Sequence, residues 1–422
     1  MTKRTLFLYI ISIIIFRILL DILYKDTISP NYAYYGLIYN PNYLSTITSW
    51  GILIIGILLS IPFLNMKKFV ISHIAILLFA MFFVPWTSYL HCNPQSYGVI
   101  ICESIYWIFL LLCLNISSKL EILHLKQKIY NKKAFYLMII VMVATVIYVS
   151  GIYTNFRIEI SLAKIYDWRL EARTFKLPIL LEYIWAASTN ILPVIVFYYL
   201  RKEKNYIAIA MALVIVISFS INGSKSTLFK LILCIILFFV HISTKFKFYI
   251  PASLALFSTI CLLEFSFYRS SFLSELIIRR TFFIPAQLDG YYYEVIEKSG
   301  PIFFTHRING HEITFLIGDT FFDKDYMRAN NGLFSDAYMN LGIAGCFLFP
   351  IIYAILINLC ESILLGLSTP IKFYIVFIIC FTMRSSELTT ALMTHGLLLL
   401  CLLAPLLREG QMPPTHPPIK PI

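Results

Sequence analysis

Apolar runs of about 18–20 residues recur along the whole chain, separated by short polar turns, and each is long enough to cross roughly 30 Å of hydrocarbon. The pattern predicts an all-α polytopic membrane protein with about twelve spans. They fall at 5–24, 44–65, 69–87, 97–116, 134–153, 178–200, 205–222, 226–243, 247–267, 333–360, 371–384 and 390–407. One stretch breaks the rhythm. Between Phe267 and Gly332 the chain turns polar and carries Arg269, Arg279, Arg280, Arg307 and Arg328, with His306, His311, Asp289, Asp319, Asp323 and Asp325.

A shorter polar stretch, 154–177, holds Arg157, Lys164, Arg169, Arg173 and Lys176. Inside it Ile158, Leu162, Ile165, Trp168 and Ala172 recur at three-four spacing, which predicts a short interfacial helix. Asp167 and Glu171 fall opposite that stripe, and Arg169 and Arg173 at its edge.

Composition sharpens the class. A hydrophobic fraction of 59% and a mean hydropathy of +0.80 lie far outside the soluble range. The chain reads as one integral membrane domain over 1–407, followed by a Pro-rich cytoplasmic tail, 408–422, expected to be disordered. The N-terminal run is too long for a cleaved signal peptide and has no small-residue cleavage site. The nine cysteines are scattered, mostly within apolar runs and without a C-x-x-C spacing, so they read as small buried hydrophobes.

Charge orients the set. Lys3 and Arg4, Lys67 and Lys68, the Lys119–Lys133 cluster, Arg201 to Lys204, and Lys245 with Lys247 fall on every second connection. The positive-inside rule places these, and both termini, in the cytoplasm. The 154–177 and 268–331 loops then lie outside, and their cations run against the rule. They are expected to bind an anion.

Arginine makes planar, bidentate contacts with phosphate oxygens. Outward arginines at the depth of lipid headgroups suggest a polyprenyl diphosphate. Were that diphosphate a leaving group, the same cations would stabilise its developing charge without a metal. The diphosphate-binding candidates are Arg169, Arg173, Lys225, Arg269, Arg279 and Arg280. Lys225 sits in the turn Asn222-Gly223-Ser224-Lys225-Ser226-Thr227, which lacks the leading glycine of a P-loop. A general base must also take the proton of an attacking hydroxyl. The candidates are Asp336, Glu171 and His311, with Asp289 as a further carboxylate. Asp336 and Asn340 are four apart, on one helix face. Arg17, Glu103, Glu182, Lys230 and Glu264 stand out among the ionisable residues inside apolar runs, each costly there. Tyr291, Tyr292, Tyr293, Phe303, Phe304, Phe321 and Phe322 fit either sugar stacking or an interfacial belt.

The layout resembles the O-antigen polymerases of the Wzy type (oligosaccharide repeat-unit polymerases), relatives of the O-antigen ligases. The resemblance rests on the span count, two basic outer loops, a small-residue basic turn, and the start N-G-x-x-x-D-A-Y-x-N-x-G-x-x-G. Here that start runs from Asn331-Gly332 through Asp336-Ala337-Tyr338, Asn340, Gly342 and Gly345. An Arg-x10-Gly spacing associated with such loops occurs at Arg279 to Gly290 and at Arg307 to Gly318. Related enzymes often have Ser-Arg where this chain has Ser224-Lys225, and ligases carry His-Asn where it has Asn331-Gly332. The second difference argues against a ligase.

The resemblance implies a metal-independent, cofactor-free glycosyltransferase of the GT-C type in the bacterial inner membrane, with its active site in the periplasm. Its partners would be undecaprenyl-diphosphate-linked oligosaccharides as donor and acceptor, the bilayer and a chain-length regulator protein, with no nucleic acid. The growing glycan would move to the terminal sugar of a new lipid-linked unit. The alternatives are a ligase-like transferase and a lipid-linked oligosaccharide flippase or transporter. Two similar halves are expected of a flippase, and the sequence has no such repeat.

Overall fold

The computed structural model describes residues 2–120, 132–161 and 164–408. Apart from one hairpin, Arg307–Ile308 paired antiparallel with His311–Glu312, its regular structure is helical. Among the described residues ten helices are long and apolar enough to cross a bilayer, so this is a multi-pass membrane protein. The runs read as spans at 226–243 and 371–384 are shorter helices, Lys225–Phe239 of 15 residues and Thr369–Ser385 of 17. The first stops where Val240 turns extended. Lys126, Lys128, Leu162 and the Pro-rich tail beyond Arg408 lie outside the described residues.

The chain forms two compact units. Unit 1 takes Met1–Leu123, Thr244–Glu361 and Ile379–Ala391, and unit 2 takes His124–Ser243, Ser362–Ile378 and Leu392–Ile422.

In unit 1 the span Phe69–Cys92 is wholly enclosed by its neighbours. Enclosure explains how it carries Thr87 and Ser88 at membrane depth. The Arg17 guanidinium donates to the Thr87 carbonyl at 2.8 Å and pairs with Asp21 one turn along its own helix, and the Ser88 hydroxyl donates to Asp21 at 2.5 Å. Arg17 is thus satisfied by packing. Glu264 likewise accepts the Phe272 and Leu273 amides at 3.1 and 3.0 Å.

Three one- or two-turn π segments interrupt unit 1: Tyr24–Ile28, Phe79–Phe83 and Ser274–Phe283. Each runs straight into an α-helix with proline at its first or second position, Pro30, Pro85 or Pro285. Proline has no N–H and its ring crowds the carbonyl one turn back, so the helix widens just before it.

The long polar stretch is not an open loop. Ser274–Phe283 continues into the helix Ile284–Ser299, the hairpin follows, and then the helix Ile313–Phe322. Ala286 to Gly290, Tyr292, Tyr293 and Ile296 give Ile284–Ser299 a buried face, so mixed polarity here reflects an amphipathic helix.

In unit 2, Ile179–Arg201 carries a buried face from Trp185 to Tyr199, and Phe197 meets Tyr374 with ring centroids 5.1 Å apart. The expected interfacial helix is shorter than its stripe, running only over Ile165–Arg173. Ile158 is exposed in extended chain. The Ser220 side chain brackets Glu159, accepting its amide at 3.0 Å and donating to its carbonyl at 2.9 Å, which holds that stretch out of a helix. Ile165 and Trp168 pack on Phe219, worth about 1.5–3 kcal/mol for each side chain removed from water.

Candidate active site

The clearest constellation in unit 1 grows from Asn331-Gly332. A Cβ on Gly332 would collide with the Met383 and Ser386 carbonyls, and the Gly332 amide donates to the Arg384 carbonyl at 2.9 Å. Only glycine lets these two segments approach so closely. Leu333 follows with φ +56°, a strained value for a γ-branched residue. The helix Phe334–Leu341 then starts, breaks at Gly342–Ala344 and resumes as Gly345–Ile363.

Four segments are tied beneath this point. Arg384 Nη2 meets Asp289 Oδ2 at 2.5 Å, and Nη1 meets Oδ1 at 3.2 Å. Asn331 Nδ2 donates to the Pro285 carbonyl, Asp289 Oδ1 and Ser335 Oγ at 3.0, 2.9 and 2.8 Å. The Ser335 hydroxyl donates to Asp289 Oδ1 at 2.6 Å. All four side chains are buried. Around them Tyr106 Oη, Thr382 Oγ1 and Arg384 Nε are buried without a hydrogen-bond partner among the described residues.

Three residues beyond Arg384, Glu387 Oε2 lies 2.7 Å from His306 Nδ1. These two line a cavity of about 380 Å³ together with Arg307, Arg328, Asn330 and Asn331. Thr305, Thr314, Ser386, Thr390 and Glu312 complete the lining. Such hydroxyls and amides suit a sugar, and the two guanidinium groups an anion. Arg328 also contacts Glu312 at 3.4 Å. His306 is 42% exposed and Glu387 11%, so the imidazole is open to a ligand while the carboxylate backs it. With Nδ1–H donated to the carboxylate, Nε2 is left as the basic atom. Burial raises the Glu387 carboxyl above its ordinary value, His306 partly offsets that, and Glu312 adds to the rise. Backbone strain gathers at the rim: Phe303, Phe304, His306 and Asn309 all have φ between +47° and +64°. The broken helix holds them there, since Asn340 Oδ1 accepts the Phe304 amide at 2.9 Å and the Ile302 amide donates to the Met339 carbonyl at 2.9 Å.

The residues singled out from sequence fall in different places. In unit 1, Asp336 is 2% exposed. Its Oδ2 accepts the Leu388 amide at 2.7 Å and its Oδ1 accepts Asn340 Nδ2 at 2.8 Å, so it caps the helix Leu388–Leu392. His311 is exposed on the hairpin, and Arg269 is exposed in the left-handed cap of Ile250–Tyr268. The Arg279 guanidinium stacks on Tyr32, 3.8 Å from the ring centroid, and Arg280 is half-buried on the same π segment. None of these five lines the cavity.

In unit 2, Glu171 pairs with Arg157 at 2.8 Å, and Arg157 also donates to the Ser220 carbonyl. Arg169 reaches the Gly223 carbonyl at 3.4 Å. A Cβ on Gly223 would strike Ile165. The 154–177 stretch and the turn that carries Lys225 therefore pack against each other, with Arg173 exposed beside them. Of the aromatics, Tyr291 stacks on Phe321 at 3.9 Å, Tyr293 on Tyr338 at 4.7 Å, and buried Tyr292 donates to the Ala329 carbonyl at 3.0 Å. Phe303 and Phe304 are exposed.

Sequence reasoning missed Arg384 and Glu387 and left His306 without a role. The available signal was the polar break Arg384-Ser385-Ser386-Glu387 between two apolar runs. It also passed over the triplet Asp323-Lys324-Asp325, an Asp-x-Asp. Asp323 is the exposed left-handed cap of Ile313–Phe322 and Asp325 is exposed. Among the described residues no group of three or more His, Cys, Asp and Glu is placed to hold a metal ion. Compared with models of known families, with curated proteins and with solved structures, the chain matches none.

Proposed function

We propose that this protein polymerises polyprenyl-diphosphate-linked oligosaccharide units, as O-antigen polymerases of the Wzy type do, on the periplasmic face of a bacterial inner membrane. The observation that carries the reading is the His306–Glu387 pair opening into a polar cavity beside Arg307 and Arg328. In this reading Lys225–Phe239 and Thr369–Ser385 complete twelve spans, with both termini cytoplasmic.

The acceptor sugar hydroxyl attacks the anomeric carbon of the donor glycan. A new glycosidic C–O bond forms and the C–O bond to diphosphate breaks. His306 Nε2 takes the hydroxyl proton, and Glu387 orients the ring and stabilises the imidazolium. The lipid diphosphate leaves with the bonding electrons, and Arg307 and Arg328 balance its charge. Asp289 and Arg384 are positioning residues that fix the segment bearing Glu387.

The test is a lipopolysaccharide gel from a strain lacking the gene, with the wild-type or the His306→Gln gene supplied on a plasmid. The expected pattern is a ladder with wild type and lipid A–core bearing a single repeat with the variant or none. Bare core in the deletion strain would remove the polymerase reading and favour a ligase or a flippase. A full ladder with His306→Gln would remove His306 as the base.

A further inference from the structure

A second cavity in unit 1, of about 340 Å³, lies at the other end of the helix that begins beside the first. That helical run, Phe334–Ile363, starts three residues after Asn331. Near its far end Glu361 accepts the Phe69, Val70 and Ile71 amides at 2.9, 2.7 and 3.1 Å, and Phe69 lines the second cavity. The run breaks at Gly342–Ala344, and its unbroken part, Gly345–Ile363, is 19 residues and so roughly 28 Å long, about the thickness of a hydrocarbon core, so the two cavities lie toward opposite sides of the bilayer.

The second cavity is built from span ends. Tyr43–Asn65 stops at it, Phe69–Cys92 begins at it, and the 244–248 turn precedes Ile250–Tyr268. Lys67, Lys245 and Lys247 line it, with buried Ser72 and an apolar wall that includes Leu64 and Phe248. Lys247 is only 5% exposed. Its ammonium is fixed by the Phe63 and Met66 carbonyls at 2.9 and 2.8 Å, which uses two of its three N–H donors. Glu361, outside the lining, is the carboxylate that acts on Lys247. Among the described residues the lining carries three ammonium groups and no carboxylate, and Lys245 makes a further contact of its own.

We propose that this cavity binds the phosphate of an anionic lipid headgroup, on the side of the membrane opposite the His306 cavity. Lysines are point charges that suit a freely oriented phosphate, the site lies at headgroup depth, and the apolar wall suits the glycerol and first methylenes. The basic connections place it on the cytoplasmic side, where anionic lipid and lysine attract. This inference does not depend on the polymerase reading.

The test uses the full chain in nanodiscs of phosphatidylcholine with and without phosphatidylglycerol. Bound lipid is read by native mass spectrometry and unfolding by a thermal melt. Lys67→Gln/Lys245→Gln leaves the carbonyl-bound Lys247 in place, and Lys119→Gln/Lys204→Gln removes two cations elsewhere. Phosphatidylglycerol should be retained by wild type and by the control pair and raise their melting temperature. The Lys67/Lys245 variant should bind it on the order of 30-fold more weakly, from about 1 kcal/mol per lysine. Equal retention by both double variants would overturn the site. A melt shift produced by inorganic phosphate alone, in phosphatidylcholine and lost in the Lys67/Lys245 variant, would assign the cavity to a soluble phosphate and overturn the lipid headgroup.

Discussion

Among its described residues unit 1 buries two guanidinium groups, each facing one aspartate and one aromatic ring, and they differ in what the pair joins. Arg17 finds Asp21 on the next turn of its own helix, and its other contacts, Thr87 and Ser49, belong to adjoining spans. Arg384 finds Asp289 at a sequence separation of 95 residues, and that carboxylate also accepts from Asn331 and Ser335. The first pair closes on itself. The second leaves Arg384 Nε and Tyr106 Oη without hydrogen-bond partners among the described residues, and sits three residues from the cavity carboxylate Glu387. Burying charge is costly, and a local pair offsets the cost by packing. A long-range pair with unsatisfied neighbours is a poor way to gain stability alone. What it supplies is geometry, because it pins the Glu387 segment against the Asn331-Gly332 start.

The largest effect should come from breaking that second pair. Arg384→Met leaves Asp289 buried and uncompensated, which costs about 3–5 kcal/mol and should lower the melting temperature in detergent sharply. Replacing both residues, Arg384→Met with Asp289→Leu, should recover most of the stability. On a lipopolysaccharide gel the ladder should stay lost. A normal ladder from the stable double variant would make this pair no more than a second Arg17, and the comparison would collapse.

A smaller effect separates the carboxylate from the pair that holds it. Glu387→Gln keeps the fold but withdraws the charge behind His306, and chain extension should fall on the order of 10²-fold. The pH dependence carries the sign. Burial raises the Glu387 carboxyl, so it takes up its proton at a higher pH than an ordinary carboxyl. As pH falls through that raised value, wild-type chain extension should decline. The Gln side chain takes up no proton, so the acid limb left in that variant should be only the one that comes from protonating the base His306 itself, and it should differ from that of wild type. Initial rates in proteoliposomes across the acid range would show it, and an identical acid limb in both proteins would remove Glu387 from the reaction.

The two regions also differ in how far the sequence exposes them. Apolar runs need no tertiary context, so most spans are legible within a few residues, and Arg17 stands out as a cation in grease. The Asn331-Gly332 start is legible as a motif, and the structure supplies its reason in the carbonyls packed against Gly332. The cavity is harder to see. His306 and Glu387 are 81 residues apart and meet only because a broken helix holds the 302–304 backbone. Asp336 and Glu171 read as free carboxylates, whereas Asp336 is engaged by a backbone amide and Glu171 by Arg157. Arginine counting pointed to Arg279, whose ring partner Tyr32 lies far away in sequence. Which cations face a ligand is a tertiary property, and no spacing in the polar stretch encodes it.

The smallest effect should come from the first pair. Arg17→Met with Asp21→Asn removes both charges together, so neither is left buried alone. The introduced carboxamide would still offer a carbonyl oxygen to the Ser88 hydroxyl that now donates to Asp21. Net changes for such paired replacements are often near zero and can be stabilising by about 1–4 kcal/mol. The expected result is a melting temperature within a few degrees of wild type and an unchanged ladder. Loss of the ladder in a variant that melts like wild type would mean that Arg17 does more than hold Thr87 and its helix in place. The contrast between a closed local pair and an open long-range one would then have to be drawn on other grounds than function.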